Sequence, residues 1–260
     1  MRIATWNVNG LTAERLGRIG EWLDTARPDV CCLQETKATD AAFPALDFHA
    51  RGYASVHHGQ GRWNGVAILS RVGLDHAVSG FADGGPPDRE ARVVSATCGG
   101  VRVSSVYVPN GRQVGSEHFR YKLRWLARLR AHLEAESTGV GGVGVAVCGD
   151  FNVAPDDIDL WDPRAFEGDT HVTPEERAAL AELKAFGLRD AFREQYPGEP
   201  GLFSWWDYRA GAFPKHQGMR IDLAMLSSDL ADRVAWAFID RNARKGHKPS
   251  DHAPLFVDLA

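Results

Sequence analysis

Apolar runs in this chain repeatedly end on, or open from, a carboxylate, an amide or an imidazole, and this placement limits its fold more than any other feature. Residues 2–6 run into Asn7-Val8-Asn9-Gly10, and residues 30–33 into Gln34-Glu35-Thr36-Lys37. Residues 103–106 run into Tyr107-Val108-Pro109-Asn110-Gly111, and residues 143–148 into Gly149-Asp150-Phe151-Asn152. Farther on, Arg220-Ile221-Asp222-Leu223 opens one run and Ser250-Asp251-His252-Ala253-Pro254 opens another. A carboxylate at the edge of an apolar run is costly unless it is paired, hydrogen-bonded or bound to a metal. One such residue is ordinarily a turn or a helix cap. Several converging from different strands make a site, because sheets gather functional residues where their strands stop.

The runs themselves read as strands, being short and rich in Val, Ile and aromatics: residues 2–8, 29–33, 66–70, 92–97, 101–108, 143–148, 221–226 and 253–259. Helical spacing appears between them. Leu16, Ile19 and Leu23 mark a helix over 15–25, and Phe119, Leu123, Leu126, Leu129 and Leu133 mark one over 117–134. Thr173-Pro174-Glu175-Glu176 is a capping box with proline at the first helical position, so a helix starts there and runs to about Phe186, with Gly187 as its stop. Strands alternating with helices give the α/β class. No Pro/Ser-rich linker divides the chain, so 1–260 is expected to be a single domain.

Composition closes off other classes. At 44% hydrophobic and 25% charged residues the chain is ordinary for a globular protein, which excludes disordered and fibrous readings. No apolar run reaches the ~18 residues of a membrane span, and with the first strand following Met1 so closely no signal peptide is expected. A cytoplasmic protein without membrane contact is expected. Cys31, Cys32, Cys98 and Cys148 lie inside apolar runs without ligand-like spacing, so buried free thiols are expected rather than zinc or disulfides. Gly59-Gln60-Gly61-Arg62 and the glycines of 139–144 precede strand-like runs and have no Walker lysine, so they read as turns rather than phosphate loops. The net charge of −4 does not argue for a polyanionic partner, although a basic face can be masked by acidic catalytic groups.

Oxygen donors without cysteine suit Mg²⁺, with Mn²⁺ as the variant, and a single His flanked by Asp suggests an oriented imidazole. These are the parts of metal-assisted phosphoryl-ester cleavage. In their order, the six motifs resemble the exonuclease III class of AP endonucleases, within the endonuclease/exonuclease/phosphatase superfamily. The resemblance covers essentially the whole chain and extends to Asp157-Ile158-Asp159, Pro174-Glu175-Glu176-Arg177 and Phe203-Ser204-Trp205-Trp206-Asp207-Tyr208-Arg209.

The resemblance implies a four-layer sandwich of two packed β-sheets flanked by helices on both outer faces, with the site at one end of the sheets. It implies Glu35 as principal metal ligand with Asn7 beside it and Asp251 near the metal. Asp150 would polarise the attacking water, Asn152 would orient water or a phosphate oxygen, and His252, oriented by Asp222, would contact the scissile phosphate. Tyr107 and Asn110 match phosphate-side donors, and Asn9 is placed with them. Trp205, with Met219 and Phe203, is expected to line a small pocket for a flipped abasic deoxyribose. Met219 stands where some relatives carry tryptophan. From the residues themselves, the basic segment 241–248 beside the last motif makes Arg244, Lys245 and Lys248 candidates for DNA-backbone contact. Arg120, Lys122, Arg124, Arg128 and Arg130 fit a solvated helix face equally well.

The implied activity is Mg²⁺-dependent cleavage of double-stranded DNA 5′ to abasic sites, with 3′→5′ exonuclease and 3′-end-cleaning activity on blocked ends, by a monomer. The alternatives are a superfamily relative acting on RNA, nonspecific DNA, inositol phosphates or phospholipid headgroups, and a catalytically silent DNA-binding member.

Overall fold

The computed structural model describes residues 1–139 and 143–260, so the second glycine cluster lies partly outside the described residues. The first half contains β1 (Arg2–Asn7), α1 (Ala13–Ala26), β2 (Val30–Gln34), α2 (Ala45–His49), β3 (Ala54–His58), β4 (Val66–Ser70), β5 (Asp75–Ser79) and β6 (Val93–Cys98). The second contains β7 (Val101–Tyr107), α3 (Glu117–Gly139), β8 (Val145–Asp150), α4 (Pro174–Ala185), β9 (Leu188–Asp190), α5 (Ala191–Gln195), β10 (Asp222–Ser227), α6 (Ser228–Ala231), β11 (Val234–Ile239) and β12 (Leu255–Leu259).

The strands form two six-stranded sheets, ordered β11-β12-β1-β2-β4-β3 and β5-β6-β7-β8-β10-β9. Each has one parallel pair near its middle: β1 with β2, joined by α1, and β7 with β8, joined by α3. A parallel pair cannot be closed by a hairpin, so the helix is the crossover and lies against the sheet. The expected capping box forms as drawn: Thr173 caps α4, Glu176 returns the bond, and Gly187 follows with φ +108°.

Burial sorts these elements into layers. Ile3, Cys32 and Ile68 of the first sheet meet Val94, Val103 and Cys148 of the second in the central core. The outer face of the first sheet is covered by Ile19, Trp22 and Leu23 of α1, and that of the second by Trp125, Leu126 and Leu129 of α3 with Leu180 and Leu183 of α4. The order is therefore helix, sheet, sheet, helix. All four cysteines are buried and free, and 59–62 lies in the connection between β3 and β4. Among the described residues, no helix is long and apolar enough to cross a membrane.

Four strands were not legible as runs, namely β3, β5, β9 and β11, and they are the four sheet edges. Edge strands carry polar and exposed residues, as β3 and β5 do, and β9 is only 3 residues long. β11 is different: Trp236 and Phe238 stack on its exposed side while Ala237 and Ile239 face inward, an alternation that its sequence does display.

Candidate active site

Strand register brings the first acids together. β8 lies between β7 and β10, and Asp150 is directly opposite Tyr107 on one side and Asp222 on the other. The preceding residue must be glycine, since a Cβ at Gly149 would collide with the Val106 carbonyl. In the other sheet Asn7 is opposite Gln34, so the end of β1 lies beside Glu35. The two sheets meet here through one amide: Asn7 Nδ2 donates to Glu35 Oε1 at 2.9 Å and to Asp150 Oδ2 at 3.0 Å. The last motif is tied in by Ser250 Oγ, which donates to the Asn7 carbonyl at 2.6 Å.

These loops hold non-glycine residues in the left-handed region: Asn9 (φ 49°), Glu35 (φ 51°), Lys37 (φ 52°), Asn152 (φ 49°) and His171 (φ 83°). Such conformations persist only where surrounding bonds over-determine them, and they concentrate at functional sites.

Charge is unevenly distributed. Burial pushes Asp150 up to about 7; His252 pulls it down, and Asp222 and Glu35 push it further up. Its Oδ1 accepts from Asn152 N at 2.8 Å and its Oδ2 from Asn152 Nδ2 at 3.2 Å. Burial alone would lower His252, but Asp222 and Asp150 raise it to about 10. Its Nδ1 is 2.8 Å from Asp222 Oδ2, and its Nε2 is 3.8 Å from Asp150 Oδ2. The ring is thus an imidazolium, oriented by one carboxylate and aimed near another. Burial works against Glu35 ionising, but Lys37, Asn7 and His252 hold it below the ordinary carboxylate range. Burial and the Glu35 charge push Tyr107 well up, so its phenol stays protonated and can donate.

The cavity over these groups measures about 460 Å³. One wall is polar, built from Glu35, Tyr107, Asn110, Asp150, Asn152 and His252, and the other is formed by Phe166, Trp205, Met219 and Ile221. Trp205 and Met219 bond each other's main chain, N to O at 2.9 Å in both directions, and Trp205 Nε1 donates to Asp251 Oδ2 at 3.1 Å. Asp251 Oδ1 accepts from Asn9 Nδ2 at 2.9 Å. Arg220 is fully buried and bonds Asp159 (2.7 and 3.1 Å) and Asp190 (3.1 Å), tying the 157–159 turn to the strand that presents Asp222.

No three carboxylate, imidazole or thiolate groups converge as a preformed metal cage among the described residues. The donor set nevertheless suits a hard divalent ion. Glu35 offers oxygens without sulfur, Asn7 would join it by turning its amide, whose Oδ1 accepts from Asn9 N at 3.0 Å, and the Lys37 ammonium, 2.9 Å from Glu35 Oε2, already occupies a cation position on that carboxylate. Mg²⁺ in particular is held by one or two carboxylates, with waters and phosphate completing its shell.

Three expectations change. Phe203 is buried in the central core, its ring 5.0 Å from that of His216, and it does not line the cavity. The chain bends at Ser204, whose Oγ accepts from Ile221 N and Asp222 N, and this breaks the alternation that would have put Phe203 beside Trp205. Arg244 is buried, its guanidinium 4.9 Å from the Tyr208 ring and 5.2 Å from that of Phe213, whereas Lys245 and Lys248 are exposed. Lys122 belongs to no solvated face: it is buried and ion-paired with Glu176. Its basic neighbours Arg120 and Arg124 pair with Glu117, and Arg128 pairs with Asp83.

Two site residues were not foreseen. Arg15 of α1 reaches Tyr208 Oη at 3.3 Å and the Lys248 carbonyl at 3.4 Å, adding a cation to the rim; the basic face of α1, Arg15 with Arg18, was its signal. His171 lies 3.0 Å from both Asn152 Oδ1 and Asn110 Nδ2. Burial and the Lys122 charge lower it to about 4, so it is neutral. No motif marks it, since it merely precedes the cap of α4.

Comparisons with known proteins agree with this fold. An exodeoxyribonuclease III of Haemophilus influenzae is 33% identical over 273 residues, covering 100% of both chains. The structure of a 3′ phosphatase, NExo, from Neisseria, bound to product DNA hairpin, superposes with a TM-score of 0.95 at 36% identity, covering 100% of this chain and 99% of that one. An AP endonuclease from Archaeoglobus fulgidus gives 0.93 at 35%, again covering 100% and 99%. The family model described as Endonuclease/Exonuclease/phosphatase matches residues 4–252. With that match spanning nearly the whole chain, this protein belongs to the endonuclease/exonuclease/phosphatase family.

Proposed function

We propose that this chain is a divalent-metal-dependent DNA-repair phosphodiesterase that uses Mg²⁺, cuts duplex DNA 5′ to abasic sites and trims 3′ ends. The observation that carries this reading is the meeting of Glu35, Asp150 and the Asp222–His252 pair at the ends of both sheets, facing the apolar wall of Trp205 and Met219. Glu35 and Asn7 would hold the ion, with Asp251 on the Asn9 side. When bound, it would neutralise phosphate charge and polarise a phosphoryl oxygen. Asp150 sits where it can orient a water and take its proton, with Asn152 fixing the geometry. The His252 imidazolium and the Tyr107 phenol supply donors to the charge that develops on phosphorus-bound oxygens, and Asn110 adds an amide. Arg15, which reaches the Lys248 carbonyl, and the exposed Lys245 and Lys248 would offer the positive charge that a backbone polyanion needs.

The test is cleavage of an abasic-site duplex with and without Mg²⁺, with end-group analysis. The expected products are a 3′-hydroxyl and a 5′-deoxyribose phosphate. Equal turnover of inositol phosphates would overturn the reading. A second reading, in which 3′-end processing outweighs internal cleavage, is favoured by the likeness to the 3′ phosphatase; removal of 3′ phosphates without incision at the abasic site would select it.

Two further outcomes are expected. Glu35→Ala should weaken Mg²⁺ binding by on the order of 10- to 100-fold by calorimetry, with activity partly restored at high metal, since a lost ligand can be offset by mass action. An unchanged titration would reassign Glu35 to a structural role. Trp205→Ala should lower kcat/KM on abasic duplex by about 10-fold or more, and lower digestion of an undamaged 3′ end less. A flipped abasic sugar has no base pair to break, and the Trp205–Met219 wall would then select it by fit. Equal losses on both substrates, or a collapse in Tm, would assign Trp205 to packing.

A further inference from the structure

Beneath the cavity floor lies a buried ion pair. Lys122 of α3 and Glu176 of α4 are each 0% exposed and bond directly to one another. Lys122 falls on the apolar stripe of its helix, three, four and seven residues before Trp125, Leu126 and Leu129, where a leucine or methionine would pack equally well. A buried ammonium loses several kcal/mol of hydration unless its hydrogens are all satisfied. Here they are, and the partners tell what the group does. Nζ donates to the Asn152 carbonyl at 2.6 Å, to the Asn110 carbonyl at 3.3 Å, and to Glu176 Oε1. No hydrogen remains for a substrate.

Glu176 extends the same connection. Its Oε1 accepts from His171 N at 3.0 Å, and its Oε2 accepts from Thr173 N at 3.0 Å and Thr173 Oγ1 at 2.8 Å. His171 in turn reaches the Asn152 side chain, so Asn152 is held from both sides, its carbonyl by Lys122 and its amide by His171. The Asn110 loop wraps the lysine stem: Gly111 sits at φ +89°, and a Cβ there would stand 3.1 Å from Lys122 Cδ. Three segments that line the cavity from separate parts of the chain, at Asn110, Asn152 and His171, therefore converge on one buried ion pair, the first two on Lys122 and the third on Glu176.

We propose that Lys122, held by Glu176, is a positioning residue of the site, setting where Asn110 and Asn152 stand relative to Asp150. The inference rests on the functional reading above for its consequence, but not for its geometry. Lys122 acts through the loops it ties, and a displacement of about 1 Å in such groups can cost on the order of 100-fold in rate.

The test uses Lys122→Met and the double variant Lys122→Met/Glu176→Gln. The single variant strands a buried carboxylate and is expected to melt lower. The double variant is neutral, keeps an acceptor for the α4 cap, and should recover most of the Tm. Neither should recover turnover: kcat is expected to fall roughly 30- to 100-fold in both, with KM and the Kd for uncleaved DNA within about threefold of the unsubstituted protein. Amide hydrogen exchange should quicken at residues 108–112 and 150–154 in both variants, a readout that needs no substrate. Wild-type-like kcat in the double variant, or unchanged exchange at both loops, would overturn the proposal, as would loss of folding in both variants, which would assign the pair to stability. Absence of DNA cleavage by the unsubstituted protein would instead overturn the functional reading, leaving the exchange measurement to decide the role of Lys122.

Discussion

Replacing Asp150 by asparagine is expected to lower kcat by on the order of 1,000-fold while leaving DNA affinity near its original value. The shape of the side chain is kept, and one oxygen can still accept from Asn152 N. What is lost is the capacity to take a proton, together with the acceptor that Asn7 Nδ2 and Asn152 Nδ2 now share. The pH profile carries a second signature. Burial, helped by Asp222 and Glu35, sets Asp150 near 7, so its carboxylate form grows as pH rises through neutrality. Activity of the unsubstituted protein should therefore rise along a limb centred near 7, and the variant's residual activity should lack it. Positive charge held on Glu35 favours the Asp150 carboxylate, so increasing metal should move the limb to lower pH. A variant that turns over normally, or that keeps the limb, would remove Asp150 from the proton transfer.

Much of this site was legible because its groups sit at strand ends. Register is a local consequence of strand pairing: the two parallel pairs set Asn7 beside Glu35 and Tyr107 beside Asp150, the antiparallel β8–β10 pair adds Asp222, and packing of the two sheets joins the sets. The layer count was carried by family likeness; periodicity alone reached only the alternation of strands and helices. What stayed hidden depends on contacts between segments far apart in the chain. His171 is a site residue only because the turn before α4 folds back onto the Asn152 loop, and neither segment shows that in its own pattern. Lys122 resembled its exposed neighbours on a basic helix, because composition cannot tell a charge facing solvent from one facing a buried glutamate. Phe203 failed in the opposite direction: the resemblance of its aromatic-rich segment placed it in the pocket with Trp205, and the bend at Ser204 turns it into the core.

Asp222→Asn is expected to be nearly as damaging as Asp150→Asn, through a different route. Asp222 Oδ2 accepts from His252 Nδ1 at 2.8 Å. Burial alone would push the imidazole below its ordinary value; Asp222 foremost, with Asp150, raises it to about 10. An amide at position 222 can still accept one bond, so the ring keeps its place, but the charge that favours the cation is gone. The sign follows directly: a group with a pKa near 10 is cationic throughout the working range, and removing its foremost raising charge lowers that pKa and enlarges the neutral fraction of the ring. A neutral imidazole is a weaker donor to the oxygens that gain charge in the transition state, and losing such a donor costs on the order of 100- to 1,000-fold in kcat. The falling limb of the profile, set by His252 near 10 in the unsubstituted protein, should move to lower pH in the variant. Proton NMR of the His252 ring across a pH titration would read the protonation state without substrate. If Asp222 acts through His252, the double variant Asp222→Asn/His252→Asn should be no worse than His252→Asn alone, because residues that work as a unit are not additive. Additive losses, or a His252 ring that titrates in Asp222→Asn where it does in the unsubstituted protein, would separate the two residues and leave the His252 cation to Asp150.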